Sequence, residues 1–275
     1  MSQPAHSAPI GVFDSGIGGL SILSALRSEL PAEDFVYLAD NGFAPYGERE
    51  APFIVERANL ITQALLAHHQ IKALVVACNT ATAAAIHVLR QNYPELPIIG
   101  VEPALKPAAQ LSHTRRVGVV ATRGTLASAK FAALHESLNT QAEFICQPCD
   151  GLASAIETAD EALIESLCAR YLAEMGRFGD KLGEIDILVL GCTHYPLAIS
   201  ILQQVLEQSG QAVRMMDSGP PVARQTRRVL KAQGLLRPPQ GLGQFSLLAN
   251  AETRHLQLAA ARWLGLQPTV RMFST

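Results

Sequence analysis

The feature that most constrains this chain is its alternation of short apolar runs, rich in β-branched residues, with longer stretches rich in Ala and Leu. Ile10-Gly11-Val12-Phe13, Phe35-Val36-Tyr37-Leu38, Ala73-Leu74-Val75-Val76 and Pro97-Ile98-Ile99-Gly100-Val101 open the series. Val117-Gly118-Val119-Val120, Phe144-Ile145, Ile187-Leu188-Val189-Leu190 and Val213-Arg214-Met215-Met216 continue it. Runs that stay apolar, without alternating sides, are the mark of strands buried on both faces. Segments of helical length stand between most of them, so the pattern predicts an α/β fold with mainly parallel sheet.

At 275 residues the chain has room for one large doubly wound sheet or two smaller ones. One feature favours two. Ala73-Leu74-Val75-Val76-Ala77-Cys78-Asn79-Thr80 is echoed by Asp186-Ile187-Leu188-Val189-Leu190-Gly191-Cys192-Thr193, each reading strand, small residue, cysteine, polar cap and then helix. The echo is short enough for either internal duplication or coincidence.

Composition narrows the function classes. A hydrophobic share of 48% with 17% charged residues suits a compact enzyme rather than a disordered chain, and a core of this size needs no disulfide or structural metal. Lys plus Arg number 22 against 24 Asp plus Glu, a net charge of -2, so no global field draws the chain to nucleic acid. No apolar run reaches the roughly 18 to 20 residues that span a bilayer, and Met1-Ser2-Gln3-Pro4 lacks the basic-then-apolar order of a signal peptide. The expectation is a cytoplasmic protein with neither membrane nor nucleic-acid partner. Five cysteines, an odd number, are then expected as reduced thiols.

In open α/β sheets, ligands collect beyond the carboxyl ends of the strands. Cys78 and Cys192 both follow strands, and Asn79-Thr80 and Thr193 are residues able to start a helix. Amides and dipole at a helix N-terminus stabilise a thiolate, so thiols so placed can act as bases. One small cysteine at such a place is readily explained as core filling. Two in matching polar contexts are not. His194, two residues beyond Cys192, is placed to modulate that thiol or its proton.

Other polar groups end strands in the same way. Asp14-Ser15-Gly16-Ile17-Gly18-Gly19 follows the first strand, and its glycines permit a tight turn with amides free to bind an anion such as a carboxylate. It is not a dinucleotide fingerprint, because Ser21 occupies the last glycine position and Asp14 would face a pyrophosphate. Ala44-Pro45-Tyr46-Gly47 and Ala121-Thr122-Arg123-Gly124-Thr125 follow the second and fifth strands. A zinc site from Cys78, Cys192 and His194 is a competing reading, although Cys-x-His is not a usual ligand spacing. Cys146-Gln147-Pro148-Cys149 is a Cys-x-x-Cys with no second pair and reads as incidental spacing. Cys168, in an apolar helical stretch, reads as core.

Taken together these motifs resemble the glutamate racemases of bacterial cell-wall synthesis. The matching segments are Asp14 to Gly19, Pro45-Tyr46-Gly47, Ala77-Cys78-Asn79-Thr80-Ala81, Ala121-Thr122-Arg123-Gly124-Thr125, Gly191-Cys192-Thr193-His194-Tyr195-Pro196 and Asp217-Ser218-Gly219, in an order that runs through nearly the whole chain. The resemblance implies two similar doubly wound, mainly parallel-sheet α/β domains with the active site in the cleft between them. The first would be discontinuous, residues 1–103 and 213–275, and the second would be residues 104–212. It implies interconversion of L- and D-glutamate with no cofactor and no metal, supplying D-glutamate for peptidoglycan, with a homodimer as the expected assembly and a monomer as the alternative. By the same resemblance Cys78 deprotonates the D-enantiomer and Cys192 the L-enantiomer, Asp14 assisting the first and His194 the second.

That assignment is chemically sound. Inverting a carbon needs a base on one face and an acid on the other, and two thiols supply both when one is ionised. The α-proton is so weakly acidic that the carbanion needs oriented amides and hydroxyls around the carboxylate, for which Ser15, Asn79, Thr80 and Thr193 are candidates. Pro45, Tyr46, Gly47 and Thr125 are expected to hold the rest of the substrate. In one place the chain departs from the family pattern. A glutamate that supports the second thiol follows a Cys-Pro turn in the family, and Glu157 falls at that place, but Asp150 replaces the proline after Cys149. Glu157 is therefore read either as that support or as a surface helix residue. The alternatives for the whole chain are an aspartate or hydantoin racemase and, in a different class, a non-catalytic thiol- or zinc-binding protein.

Overall fold

The first strand, β1 (Ile10–Asp14), is buried at all five positions, as a run with no polar residue before its last member requires. In the computed structural model, which describes residues 5–208, 213–239, 241–265 and 268–273, the chain divides into two compact units. One comprises Met1–Val101 with Gly219–Thr275, the other Glu102–Ser218. Met1 to Pro4, where the sequence shows no leader-like order, lie outside the described residues, as does Ala212 at the expected domain boundary.

In the first unit the chain continues through α1 (Leu20–Glu29), β2 (Phe35–Ala39), α2 (Ala51–His69), β3 (Ala73–Val76), α3 (Asn79–Asn92) and β4 (Ile98–Gly100). The second unit holds α4 (Leu105–Leu111), β5 (Arg116–Ala121), α5 (Arg123–Leu126), α6 (Ala129–Glu136), β6 (Glu143–Pro148), α7 (Leu152–Glu157), α8 (Glu161–Glu174), β7 (Ile187–Leu190), α9 (Ile199–Gln208) and β8 (Arg214–Met216). The chain then returns to the first unit with α10 (Gly219–Ala232), β9 (Phe245–Ala249), α11 (Thr253–Leu264) and β10 (Val270–Met272).

The first unit's sheet is six-stranded and parallel, in the order β10-β9-β2-β1-β3-β4. The second's is four-stranded and parallel, β6-β5-β7-β8. All eight strands expected from the sequence are present, and β9 and β10 are additional. Phe245-Ser246-Leu247-Leu248-Ala249 carries no β-branched residue, and β10 is a three-residue edge strand with two exposed positions, so neither gave the apolar signature. The units also differ from the expected boundaries, by two residues at Glu102 and by six at Ser218. Residues from 213 onward were expected in the first domain, but β8 pairs with β7, Ile187 opposite Arg214, because its apolar positions complete the second sheet.

In both sheets the strand order reverses about the first strand, and in the six-stranded sheet the chain later crosses back from β4 to β9. From β1 the chain moves outward to β2 and then crosses to β3 on the other side; from β5 it moves to β6 and crosses to β7. The crevices beyond the carboxyl ends of β1 and β3, and of β5 and β7, are thus the topological switch points where such sheets bind ligands. The returning C-terminal segment is tied into the first unit at the opposite end of the strands. Arg237 donates to Asp34 at 2.5 Å beside a buried Lys72–Glu33 pair, also at 2.5 Å. In the second unit Ser218 Oγ donates to the Glu102 carbonyl at 2.7 Å, joining the two ends of the inserted segment. Among the described residues no helix is long and apolar enough to cross a membrane.

Candidate functional site

Asp14 is the last residue of β1 and is wholly buried. Its Oδ1 accepts the Gly16 amide at 2.8 Å and faces the Ser15 hydroxyl at 3.4 Å. The glycine turn that follows is needed for close approach rather than for left-handed backbone. A Cβ on Gly19 would stand 2.6 Å from Asp14 Cβ and 2.8 Å from Tyr37 Oη, and Tyr37 in turn donates to the Gly16 carbonyl at 2.6 Å.

Cys78, one residue past Ala77 at the end of β3, is itself the N-cap of α3, where Asn79 and Thr80 had been expected to cap. Its sulfur accepts the Ala81 amide at 3.4 Å and lies 4.0 Å from Ser15 Oγ. Ser15 therefore bridges Cys78 to Asp14. Asn79 and Thr80 occupy the first turn of the helix, both buried. Both polar atoms of the Asn79 carboxamide lack a hydrogen-bond partner among the described residues. A buried, unsatisfied amide costs about 1–3 kcal/mol, a penalty that a polar ligand at this place would remove.

The Pro45-Tyr46-Gly47 segment forms a one-turn 3-10 helix, Tyr46–Glu48, after a cis Ala44–Pro45 peptide. Tyr46 is buried in the same apolar cluster as Phe13 and Cys78. Its phenol is raised above the ordinary tyrosine range by burial first and then by the Asp40 carboxylate, to which it donates, so it stays protonated.

In the second unit, Cys192 stands at the matching place, just past β7. Gly191 before it hydrogen-bonds to the Val120 carbonyl at 2.7 Å, and a Cβ there would meet Ala121 Cβ at 2.9 Å and that same carbonyl at 3.0 Å. Only glycine lets the cysteine lie so close to the end of β5. The helix expected directly after Cys192 is a 3-10 turn, Tyr195–Ala198, with α9 beginning at Ile199. In place of a regular N-cap, Cys192 has a histidine. His194 Nδ1 lies 3.8 Å from the sulfur, and His194 Nε2 lies 2.6 Å from Glu157 Oε2.

Burial opposes charge on His194, but the hydrogen bonds to Cys192 and Glu157 outweigh it and hold its pKa well above the usual histidine value. Glu157, the last residue of α7, is mostly buried and reaches His194, so of the two readings of this residue the surface one does not describe its position. The departure at Asp150 leaves this intact. Asp150 pairs with Arg123 at 2.5 Å on the surface, Gly151 turns the chain at φ 78°, and α7 then carries Glu157 inward.

Thr125 and Thr193 are both buried, and Thr125 is held by Thr122, whose hydroxyl donates to it at 2.9 Å. Cys149 is buried, its backbone carbonyl accepting the Tyr195 hydroxyl at 3.4 Å, and burial pushes its thiol far up. Burial likewise raises Cys146 to about 11 and Cys168 to about 12. None of the five cysteines is in a disulfide. Among the described residues no group of three or more His, Cys, Asp or Glu is arranged to hold a metal ion. A cavity of about 690 Å³ in this unit, lined by Asp186, His113 and Arg214, opens at the amino end of β7, away from Cys192. The residues that sequence reasoning missed are Asp40, which accepts the Tyr46 hydroxyl, and Arg57 and Asn250, which donate to Asp40. Asp40 follows β2 as Asp14 ends β1, and that strand-end position was the one available signal.

The model of the Asp/Glu/Hydantoin racemase family matches residues 17–226. A glutamate racemase of Pseudomonas syringae is 47% identical over 242 residues, covering 86% of this chain and 84% of that protein. One from Ectopseudomonas mendocina is 45% identical over 269 residues, 97% and 98% of the two chains. Among solved structures, a glutamate racemase of Bacillus anthracis is similar with TM-score 0.82 at 32% identity, covering 97% of each chain. One from Francisella tularensis, in complex with D-glutamate, gives TM-score 0.81 at 28% identity over 98% of each. A family match over residues 17–226, which takes in both Cys78 and Cys192, together with relatives near 45% identity over almost the whole chain, makes the chain a member of the Asp/Glu/hydantoin racemase family, an amino-acid racemase.

Proposed function

We propose that this chain is a glutamate racemase that moves the α-proton between two thiols, without a cofactor. The observation that carries the reading is the repetition of one device. In each unit a buried cysteine follows the third strand of the sheet, beside a proton-handling pair: Ser15 and Asp14 for Cys78, His194 and Glu157 for Cys192.

Taking L-glutamate as substrate, the Cys192 thiolate accepts the α-proton, and Cys78 as thiol delivers its proton to the opposite face of the same carbon. D-glutamate is released with Cys192 protonated and Cys78 ionised, so the return reaction starts from the thiol state that the forward one leaves. His194, charged between sulfur and carboxylate, stabilises the Cys192 thiolate, and Glu157 keeps that charge in place. The Ala81 amide does the same for the Cys78 thiolate. The developing carbanion is stabilised through its carboxylate by Asn79, Thr80, Ser15 and Thr193, all four of them buried. Pro45, Tyr46, Gly47 and Thr125 hold the distal end of the substrate.

Glutamate is favoured over aspartate or a hydantoin because relatives near 45% identity over almost the whole chain are glutamate racemases. The product serves peptidoglycan synthesis in the cytoplasm, and the enzyme acts as a homodimer. A chiral assay of L-glutamate beside L-aspartate, with no cofactor added, tests the reading: loss of optical activity from glutamate alone is expected. Turnover of aspartate alone would reassign the substrate, and stoichiometric zinc without turnover of either would point to the binding-protein alternative. Sedimentation at micromolar concentration tests the dimer.

A further inference from the structure

The segment from Asp40 to Gly47 is held from two directions by groups far away in sequence. Asp40 is wholly buried and its carboxylate takes four donors. Oδ2 accepts the Tyr46 hydroxyl and Arg57 Nε, the latter at 3.0 Å; Oδ1 accepts Arg57 Nη2 at 2.6 Å and Asn250 Nδ2. Asn250 lies in the turn after β9, and its Oδ1 also accepts the Gly42 amide at 2.9 Å. Asn41 reciprocates, donating to the Glu252 carbonyl at 3.0 Å and accepting the Ala251 amide at 3.1 Å. The Arg57 guanidinium lies over the Phe43 ring, 4.1 Å from its centre.

We infer that Asp40, Arg57 and Asn250 are positioning residues for the Tyr46-Gly47 turn, so that the C-terminal segment of the chain sets how tightly substrate is held. The inference rests on the reading above that this turn contacts glutamate. The physical ground is the cost of moving the turn. Tyr46 cannot shift without taking its hydroxyl from Asp40, and a buried carboxylate that loses one of its donors has no water to replace it. Asn250 holds both the Asp40 carboxylate and the backbone at Gly42, and Tyr46 ties the other end of the segment to that same carboxylate. An ion pair serving the fold alone would need Arg57 and Asp40, but not a donor from the substrate turn and another from the C-terminal segment.

The test compares wild type with Asn250→Ala, Tyr46→Phe and the double variant, by hydrogen–deuterium exchange and by glutamate kinetics. Faster exchange in residues 40–49, with β1 and β3 unchanged, is expected for Asn250→Ala. Its KM should rise about tenfold or more with kcat changed much less, the scale of one lost hydrogen bond to a charged group. The double variant should raise KM by less than the product of the single effects, since both act through Asp40. Unchanged exchange, unchanged KM or multiplicative effects would each overturn the inference. Should Asn250→Ala melt without a cooperative transition, Asn250→Ser and Tyr46→Phe alone carry the same comparison. A wild type that leaves glutamate untouched sinks the substrate reading, and the exchange measurement still decides whether the C-terminal segment holds the turn.

Discussion

Nε2 of His194 lies 2.6 Å from a carboxylate oxygen of Glu157, while the other ring nitrogen of His194 faces the sulfur of Cys192 at 3.8 Å. A histidine held between a thiol and a carboxylate keeps its charge despite burial, because its hydrogen bonds to Cys192 and Glu157 offset the loss of hydration.

Replacing Glu157 with Gln removes one of those partners. The His194 pKa, raised by Cys192 and Glu157 against the opposing effect of burial, falls toward the ordinary value. The basic limb of the pH–rate profile should then move to lower pH, and the neutral-pH rate should drop about tenfold or more, matching the loss of a charge-assisted bond of roughly 1.5–3 kcal/mol. Profiles of kcat for wild type and Glu157→Gln, recorded across neutral and alkaline pH, check this. An unmoved limb would separate Glu157 from the titration of His194.

The same pair makes a stability prediction of definite sign. A histidine whose folded pKa is raised contributes stability that is fully present below its unfolded value of about 6.5 and is lost as pH rises through the folded value. Urea unfolding of wild type should therefore weaken from slightly acid to alkaline pH more than unfolding of Glu157→Gln does. Equal slopes for the two proteins would contradict the assignment.

Cys78→Ala and Cys192→Ala should each abolish racemisation while keeping a cooperative melt, since each removes the acid or base for one face, a loss of at least about 10²–10⁴ in rate. In heavy water the wild-type enzyme should place deuterium on the α-carbon of the product enantiomer. Circular dichroism and mass analysis of the two glutamate enantiomers decide the matter, and substantial racemisation by either variant would end the paired-thiol mechanism.

Asn79→Ala should dissociate activity from stability. The carboxamide has no partner among the described residues, so its removal relieves an unpaired buried group instead of breaking a bond. Thermal stability without substrate is expected to be unchanged or raised, and the stabilisation given by added glutamate to be lost along with most of the activity. A destabilised variant that still melts higher with glutamate would show that Asn79 serves the fold and not the substrate.

Gly19→Ala tests how finely Asp14 is placed. The new Cβ would fall 2.6 Å from Asp14 Cβ and 2.8 Å from Tyr37 Oη, so the turn or the aspartate must shift. Overpacking of this kind costs about 1–3 kcal/mol, and the turnover of D-glutamate, which relies on Cys78 and its Ser15–Asp14 support, should fall more than the melting temperature suggests. Retention of full activity in both directions would argue that Asp14 tolerates displacement.

What the sequence determined by itself was whatever is written locally. Burial of a strand on both faces demands an unbroken apolar run, so eight strands were legible, and polar residues at their ends marked Asp14, Cys78 and Cys192 as exceptions to core packing. Glycine at 191 and the tyrosine at 46 stood beside those ends and were legible for the same reason. Tertiary structure decided which of the marked groups meet. Glu157 and His194 are 37 positions apart and Asp40 and Asn250 are 210 apart, and no local pattern in either segment names the other. β9 was invisible because its leucines suit a helix as well as a strand, and it became a strand only because β2 offered it an edge on which to pair. Periodicity reports how a segment meets its immediate surroundings, whereas a partner distant in the chain is chosen by the packing free energy of the whole unit, to which every segment contributes at once.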